Sequence, residues 1–275
     1  MKRFLYFVIL CGIPTLLFSC VSFNGTNKDT LGLKLKKEAI EGKAAIRDIQ
    51  YRKEKNRHPN YLGLARELTA RGFYDIALVQ LKEAEKTDKK NSEIFYLKGI
   101  CLKKKKEYEN ALVQFERAVS VNPEYSYAYA GQGMIYDITG EHSRAVRCYT
   151  KAIRIDPGVP SFYNNLGVSF MVNKEAKKAV DYFKRCIALN PNSRRAANNL
   201  GLAYGMLGKD DRAFNIFKKL GNEAVAYNNM GYVCRIRGDK KKAIEMYRKA
   251  IVVNPGYASA KKNLMEIEKG IRGEL

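Results

Sequence analysis

The sequence predicts a repeat solenoid, because one short pattern returns along the chain at nearly constant intervals. Residues 163–167 read Tyr-Asn-Asn-Leu-Gly, and residues 227–231 and 197–201 carry close copies. The glycines that mark these copies and two weaker upstream copies are spaced 34, 34, 34 and 30 residues apart. They are Gly99, Gly133, Gly167, Gly201 and Gly231. A period of this length is typical of stacked units that bury a ribbon of side chains between neighbours.

Each period also carries the same order of residue types, which indicates how the unit is built. In the fourth period these residues are Tyr163, Gly167, Phe170, Ala179, Phe183 and Pro191. The order and the period resemble the tetratricopeptide repeat, a helix-turn-helix unit. The resemblance implies an all-α, right-handed superhelical solenoid of about six repeats. Gly and Ala let two helices approach closely, aromatic residues fill the gaps, and Pro ends the second helix.

The resemblance also sets the domain boundaries. Six repeats are expected at residues 58–91, 92–125, 126–159, 160–193, 194–223 and 224–257, followed by a capping helix at residues 258–275. The first repeat is degenerate, with Ala65 where Gly is usual. The fifth lacks its terminal Pro and is four residues short, close to one helical turn. We therefore expect a shorter second helix there, with its buried face still in phase.

The N-terminus resembles a bacterial lipoprotein signal. Lys2 and Arg3 precede an apolar run that Pro14 interrupts, too short for a spanning helix and typical of a signal peptide at residues 1–19. Residues 17–20 read Leu-Phe-Ser-Cys, similar to the lipobox, which implies lipidation of Cys20 by acyl chains such as palmitate. Two or more chains anchor a protein stably. The residue after the Cys is Val21 and not the Asp that resembles an inner-membrane retention signal, which favours an outer-membrane location. The alternative is an ordinary secreted protein.

Beyond the signal, residues 20–30 are short and polar and predict a tether. Residues 31–57 carry apolar positions at helical spacing and predict one basic N-terminal helix. This helix either caps the array with its charges hydrated or lies on anionic lipid beside the anchor.

The charge of the chain is strongly positive and unevenly distributed. It carries 50 Lys and Arg against 28 Asp and Glu, a formal net charge of +22. Residues 160–257 carry +11, whereas residues 58–159 carry +3. Such a balance fits nucleic acid, anionic lipid or acidic protein partners. No RNA-reading motif or Arg-rich tract is present, which argues against nucleic acid.

The chemistry of the sequence argues against an enzyme. The chain has only His58 and His142, no metal-ligand spacing, no Gly-rich phosphate loop and no nucleophilic Ser motif. We therefore predict no catalytic residue, no metal and no cofactor. Four cysteines fall on helical packing positions and are predicted to be buried free thiols: Cys101, Cys148, Cys186 and Cys234.

The candidate binding residues form a row of asparagines at one repeat position: Asn165, Asn199, Asn229 and Asn263. The family resemblance places this position on the concave face. An Asn offers a donor and an acceptor, so such a row suits the successive amides of an extended peptide. It resembles the asparagine ladder of the glycosyltransferase that carries these repeats. The alternative is that Asn is simply frequent at this position.

Further residues at positions that the family directs into the groove make the predicted site mixed in character. The cations are Arg195, Arg235 and Lys262, and the apolar or aromatic floor is Val168, Leu202 and Tyr232. The predicted ligand is an extended segment with acidic residues or a free C-terminal carboxylate.

Together these features predict a membrane-anchored, non-enzymatic scaffold that binds an envelope protein or peptide. The combination of repeats and lipidation resembles the pilotin lipoproteins of type IV pili. Two alternatives remain from the residues: a surface-exposed adhesin that binds host molecules, and a carrier of an anionic polymer.

Overall fold

The computed structural model describes residues 41–44 and 60–273, and the described chain is all-helical. Residues 41–44 are helical, and thirteen α-helices joined by short turns follow between residues 60 and 273, with no strand in these ranges. The predicted signal segment, Cys20, the tether and most of the predicted N-terminal helix lie outside the described residues. The all-α fold class is confirmed.

Packing divides the described residues into two compact units at residues 139 and 140. The N-terminal unit comprises residues 41–44 and 60–139. Its helices are α1 (Tyr61–Arg71), α2 (Tyr74–Thr87), α3 (Ser92–Lys104), α4 (Tyr108–Val121) and α5 (Ser126–Thr139). Consecutive helices in this unit pack on one another, with α1 on α2 and α3 on α4 as helical hairpins.

The C-terminal unit comprises residues 140–273 and repeats the hairpin arrangement. Its helices are α6 (His142–Ile155), α7 (Pro160–Val172), α8 (Ala176–Leu189), α9 (Arg194–Met206), α10 (Asp210–Leu220), α11 (Glu223–Ile236), α12 (Lys240–Val253) and α13 (Ala258–Gly273). α10 has 11 residues where α8 and α12 each have 14. Ala213 and Phe217 on α10 remain fully buried, so the shortened fifth repeat keeps its buried face.

A close contact between a glycine and an aromatic ring holds four of the described hairpins together, namely α3–α4, α7–α8, α9–α10 and α11–α12. A Cβ added to Gly167 on α7 would lie 2.6 Å from Phe183 Cε1 on α8, and one on Gly201 would lie 2.5 Å from Phe217 Cε1. Real Cβ atoms do not approach this closely, so only Gly fits at these positions. The repeating glycine in the sequence therefore marks the position where an aromatic ring of the second helix packs directly against the backbone of the first.

The turn that follows each first helix has a left-handed backbone at one repeated position. Glycine supplies it at Gly72, Gly140, Gly208 and Gly238, with φ between 72° and 89°. Lys106 and Lys174 take the same conformation with φ of 67° and 64°. A residue with a Cβ in this region costs roughly 1–2 kcal/mol. The two lysines show that packing of the hairpin outweighs this cost.

Replacing the buried tyrosine ring of Tyr247 on α12 by phenylalanine is expected to stabilise the protein. Its hydroxyl is buried and makes no hydrogen bond with any described residue, and Phe115, Phe183 and Phe217 stand at the same repeat position. Because a buried polar group without a partner is costly, Tyr247→Phe should raise the free energy of unfolding by about 1 kcal/mol in chemical denaturation.

The same change should also reduce sensitivity to alkali. Burial raises the pKa of Tyr247 to about 12 from an ordinary value near 10. The folded state holds this proton more tightly, so its contribution to stability is complete below pH 10 and is lost as pH rises towards 12.

The matched control is Tyr163→Phe, which removes a hydroxyl that donates to Pro157 O at 3.0 Å. Tyr163→Phe should lower the free energy of unfolding. If Tyr247→Phe lowers it and Tyr163→Phe raises it, the buried Tyr247 hydroxyl is not a source of instability.

Candidate peptide-binding face

The four predicted asparagines lie one per helix on α7, α9, α11 and α13: Asn165, Asn199, Asn229 and Asn263. These are the first helices of successive repeats and the capping helix, and each contacts the next. Small residues allow this, since a Cβ on Gly205 of α9 would lie 2.6 Å from Val233 of α11. The row is therefore a set of side chains on adjacent helices.

Hydrogen-bonded asparagine pairs, here called rungs, join these neighbouring helices. The rungs run from Asn199 Nδ2 to Asn164 Oδ1 at 3.0 Å, from Asn229 Nδ2 to Asn198 Oδ1 at 3.3 Å, and from Asn263 Nδ2 to Asn228 Oδ1 at 2.9 Å. Every donor is a predicted site residue, and every acceptor is the first Asn of the doubled Asn in the preceding repeat. Part of the hydrogen-bonding capacity of the row thus stabilises helix packing.

Exposure differs along the row, because one predicted residue is buried. Asn199 is 4% exposed and its amide is engaged in a rung, whereas Asn165, Asn229 and Asn263 are half-buried. On α9 it is the preceding Asn198 that reaches solvent. The sequence analysis did not predict Asn198 as a site residue. The doubled asparagines at residues 164–165, 198–199 and 228–229 could have indicated that either Asn of a pair can face the ligand.

The half-buried amides keep hydrogen-bonding capacity that the described residues do not use. An Asn side chain has two N–H donors and an oxygen with two lone pairs. Asn229 and Asn263 each donate one hydrogen to a rung, and Asn165 and Asn198 donate none to a described residue. One half-buried Asn on each of the three first helices and on the capping helix can therefore still bond a ligand.

The predicted cations are placed unequally. Arg195 is exposed and forms no ion pair with a described residue. Arg235 lies 3.6 Å from Glu266 and 5.1 Å from the Tyr232 ring, and Lys262 lies 4.0 Å from the same Glu266. The sequence analysis did not predict this ion-pair partner, although Glu266 follows Lys262 by four residues, which is the spacing of a helical ion pair. The positive charge near α13 is therefore partly compensated.

The predicted apolar floor of the groove was wrong for two of its three residues. Val168 is 1% exposed and Leu202 is 4% exposed, so both belong to the packing between helices. They sit on helices that neighbours cover on more than one side, which a single sequence position does not reveal. Tyr232 is half-buried, and burial raises the pKa of its hydroxyl.

A second polar and aromatic cluster lies in the N-terminal unit. The rings of Tyr96, Tyr125 and Tyr127 lie 5.6 to 6.3 Å apart, and Tyr127 is 41% exposed. Burial raises the pKa of Tyr96 to about 12. Beside them Arg66 donates two hydrogen bonds to Glu93, at 2.8 and 2.9 Å. Since Glu93 neutralises this Arg, the cluster does not by itself select an acidic ligand.

The cysteines of the described repeats form neither a metal site nor a reactive centre. Cys101, Cys186 and Cys234 are buried free thiols, whereas Cys148 is half-buried. Burial raises the pKa of the Cys101 and Cys186 thiols, which keeps them protonated. In residues 41–44 and 60–273 no three His, Cys, Asp or Glu side chains gather to hold a metal. No helix in these ranges is long and apolar enough to cross a bilayer.

Comparison with known families decides the nature of the repeats. Two versions of the tetratricopeptide repeat model match the chain, one at residues 92–125 and 126–158 and the other at residues 160–193 and 224–257. The chain is a tetratricopeptide repeat protein. The matched segments contain α3 to α8, α11 and α12, and the asparagine row begins in the third of them. No curated protein matches the chain.

Solved structures of tetratricopeptide repeat proteins share the fold. YrrB, described as having an unusual peptide-binding site, is 24% identical over 66% of this chain and 96% of its own, with a TM-score of 0.52. PilF of Pseudomonas aeruginosa is 17% identical over 75% and 96%, with a TM-score of 0.59. A protein of Parabacteroides merdae is 18% identical over 86% and 94%, with a TM-score of 0.56. At these identities the likeness concerns the fold alone.

Proposed function

We propose that this tetratricopeptide repeat protein is a non-enzymatic scaffold of a bacterial cell envelope. In this proposal a lipid on Cys20 anchors it to a membrane, most simply the outer membrane. The face formed by α7, α9, α11 and α13 binds an extended, acidic segment of an envelope protein. Proteins with this fold bind protein or peptide partners, and the solved YrrB is described as having a peptide-binding site.

The observation that carries the proposal is a line of half-buried amides, one on each of four adjacent helices. Adjacent packed helices lie about 10 Å apart, and an extended chain rises about 3.3 Å per residue. About three residues of a bound segment therefore span the distance from one Asn to the next. Rungs hold the amides of Asn198, Asn229 and Asn263 in place before the ligand arrives, which lowers the entropic cost of binding.

Charge supports an acidic ligand. The repeats that carry the line also carry the +11 excess of residues 160–257, and Arg195 is exposed with no ion pair to a described residue. A ligand carboxylate near Arg235 or Lys262 must compete with Glu266, whose side chain is 44% exposed. The first carboxylate of the ligand is therefore expected beside Arg195.

The anchor rests on the sequence of the N-terminus and has its own test. Cys20→Ala should move the protein from the membrane fraction of cells to the soluble fraction, because lipidation is what holds it there. The matched control is Cys11→Ala, which changes a Cys within the apolar run and should leave the protein on membranes. Membrane fractionation of Cys20→Ala like the wild type means that the basic N-terminal segment or a partner holds it instead.

The binding partner can be sought by crosslinking in intact cells followed by mass spectrometry, which also separates the rival functions. A scaffold should crosslink to the same envelope protein at low and moderate salt. A carrier of an anionic polymer should release its ligand steeply as salt rises, because many ionic contacts act together. A surface adhesin should be degraded when protease is added to intact cells.

A further inference from the structure

A cleft beside α12 in the C-terminal unit is separate from the asparagine-bearing face. Its volume is about 500 Å³. Its lining is Tyr227, Lys241, Ile244, Glu245, Arg248, Lys249, Val252 and Val253. Seven of these residues lie on one side of α12, a second helix, whereas the asparagines lie on first helices and the cap. The cleft therefore presents a second surface of the same unit.

The apolar side chains at the end of α12 are exposed at this cleft. Val252 is 80% exposed, and at the same repeat position Ser120, Arg154 and Ala188 are polar or small. Val253 is 48% exposed. Ile244 is half-buried, as are Leu112 and Val146 at the same position of the second and third repeats. Contiguous exposed apolar surface that is bordered by charged residues often marks an interaction site.

The short fifth repeat explains why the cleft is open. In the fourth repeat Ile153, from the preceding second helix, packs against the cluster that contains Tyr163. Tyr227 is the counterpart of Tyr163 in the sixth repeat, and the residue at the position of Ile153 is Gly221, just beyond the end of α10. No residue of α10 lines the cleft. The ring of Tyr227 packs against the ring of Phe214, with 5.0 Å between their centroids. Because the last turn of the second helix is missing, the space beside α12 stays open.

The charges around the cleft are predominantly positive. Three of its lining residues are cations and one is a carboxylate. Glu245 pairs with Lys249 at 2.7 Å, and Arg248 reaches Glu268 of α13 at 3.2 Å. Lys241 is exposed and has no ion pair with a described residue. A ligand that carries carboxylates on both sides of an apolar group matches this pattern.

We propose that the α12 cleft is a docking site for an acidic amphipathic helix of a partner protein. An apolar side chain of the partner fills the space between Tyr227, Ile244 and Val252, and its carboxylates face Lys241 and Arg248. A protein side chain suits the recess better than a bilayer surface, which cannot enter it. The scaffold then holds two segments at once, an extended one on the first helices and a helical one on α12.

The test uses the full chain and a designed probe. The probe is a fluorescent helical peptide of about 18 residues, with Leu at positions i, i+3, i+4 and i+7 and Glu at most others. A second peptide replaces every Glu by Lys. Fluorescence anisotropy should show micromolar binding of the Glu peptide and much weaker binding of the Lys peptide. No binding of the Glu peptide in this range, or equal binding of both peptides, overturns the proposal.

Variants locate the binding. Val252→Glu should weaken binding of the Glu peptide about tenfold or more, since it places a like charge in the apolar recess. Val252 is 80% exposed, so the fold should be unaffected. The matched control Val113→Glu changes a 51% exposed Val on α4 and should have no effect. Arg195→Ala should also have no effect, which distinguishes this site from the asparagine-bearing face.

A membrane surface is the competing occupant of the cleft, and a separate experiment tests it. Vesicles of phosphatidylglycerol and phosphatidylcholine are mixed with wild type and Val252→Glu. Vesicle binding that Val252→Glu abolishes, together with unchanged binding of the Glu peptide, identifies the cleft as a lipid contact and overturns the protein-docking proposal. Unchanged vesicle binding in Val252→Glu supports it.

Discussion

Gly167→Leu is expected to lower the free energy of unfolding by about 1–3 kcal/mol, because it overfills the contact between α7 and α8. The first added carbon would lie 2.6 Å from Phe183 Cε1, and Phe183 is itself 0% exposed. The ring has no empty space to move into, so the two helices must separate. Urea denaturation followed by circular dichroism measures the loss.

The control for this variant is another glycine of the same unit that does not touch a ring. A Cβ on Gly158 would have Asp156 Oδ1 as its nearest neighbour, at 3.4 Å. Gly158→Ala should change stability by about 0.5 kcal/mol or less. Equal losses from Gly167→Leu and Gly158→Ala contradict the assigned register of the repeats.

The largest effect on binding is expected from the half-buried asparagines. Once the partner is known, Asn198→Ala combined with Asn229→Ala should weaken its affinity about five- to a hundredfold. Each lost hydrogen bond contributes about 0.5–1.5 kcal/mol, and tenfold in affinity corresponds to 1.4 kcal/mol. Isothermal titration calorimetry measures the change. Arg195→Ala should lower affinity and reduce its dependence on salt, because it removes an exposed cation.

Two controls separate binding from folding. The double change of Lys104 and Lys105 to Ala alters exposed residues of the N-terminal unit and should leave affinity unchanged. Asn199→Ala removes a buried rung and leaves Asn164 Oδ1 without its 3.0 Å donor, so it should reduce stability more than affinity. If the lysine pair matters and the asparagine pair does not, the partner binds elsewhere.

Much of the fold could be predicted because its determinants recur in the sequence. A glycine such as Gly201 repeats wherever a ring from the second helix approaches the first, and the missing four residues of the fifth repeat point directly to the shorter α10. Lys106 and Lys174 stand where other repeats carry Gly, so the left-handed turn at these two positions is known only from the structure.

The candidate site was less predictable, because exposure depends on neighbouring helices. Asn199 and Asn229 occupy the same repeat position, yet Asn199 is 4% exposed and Asn229 is half-buried. The rungs join residues 31 to 35 positions apart, so a repeat alignment shows the residues but not their bonds. Val168 is buried for the same reason, since an apolar residue near a predicted groove is equally suited to the core.

Site-specific photocrosslinking tests the central claim most directly. A photoreactive amino acid is placed at position 198, on the asparagine-bearing face, or at position 113, an exposed position on α4, in otherwise wild-type protein. The proposal predicts that the partner crosslinks from position 198 and that excess competing peptide from the same partner segment abolishes the crosslink. Crosslinking from position 113 alone, or from position 198 without competition by the peptide, contradicts binding of an extended segment along the first helices.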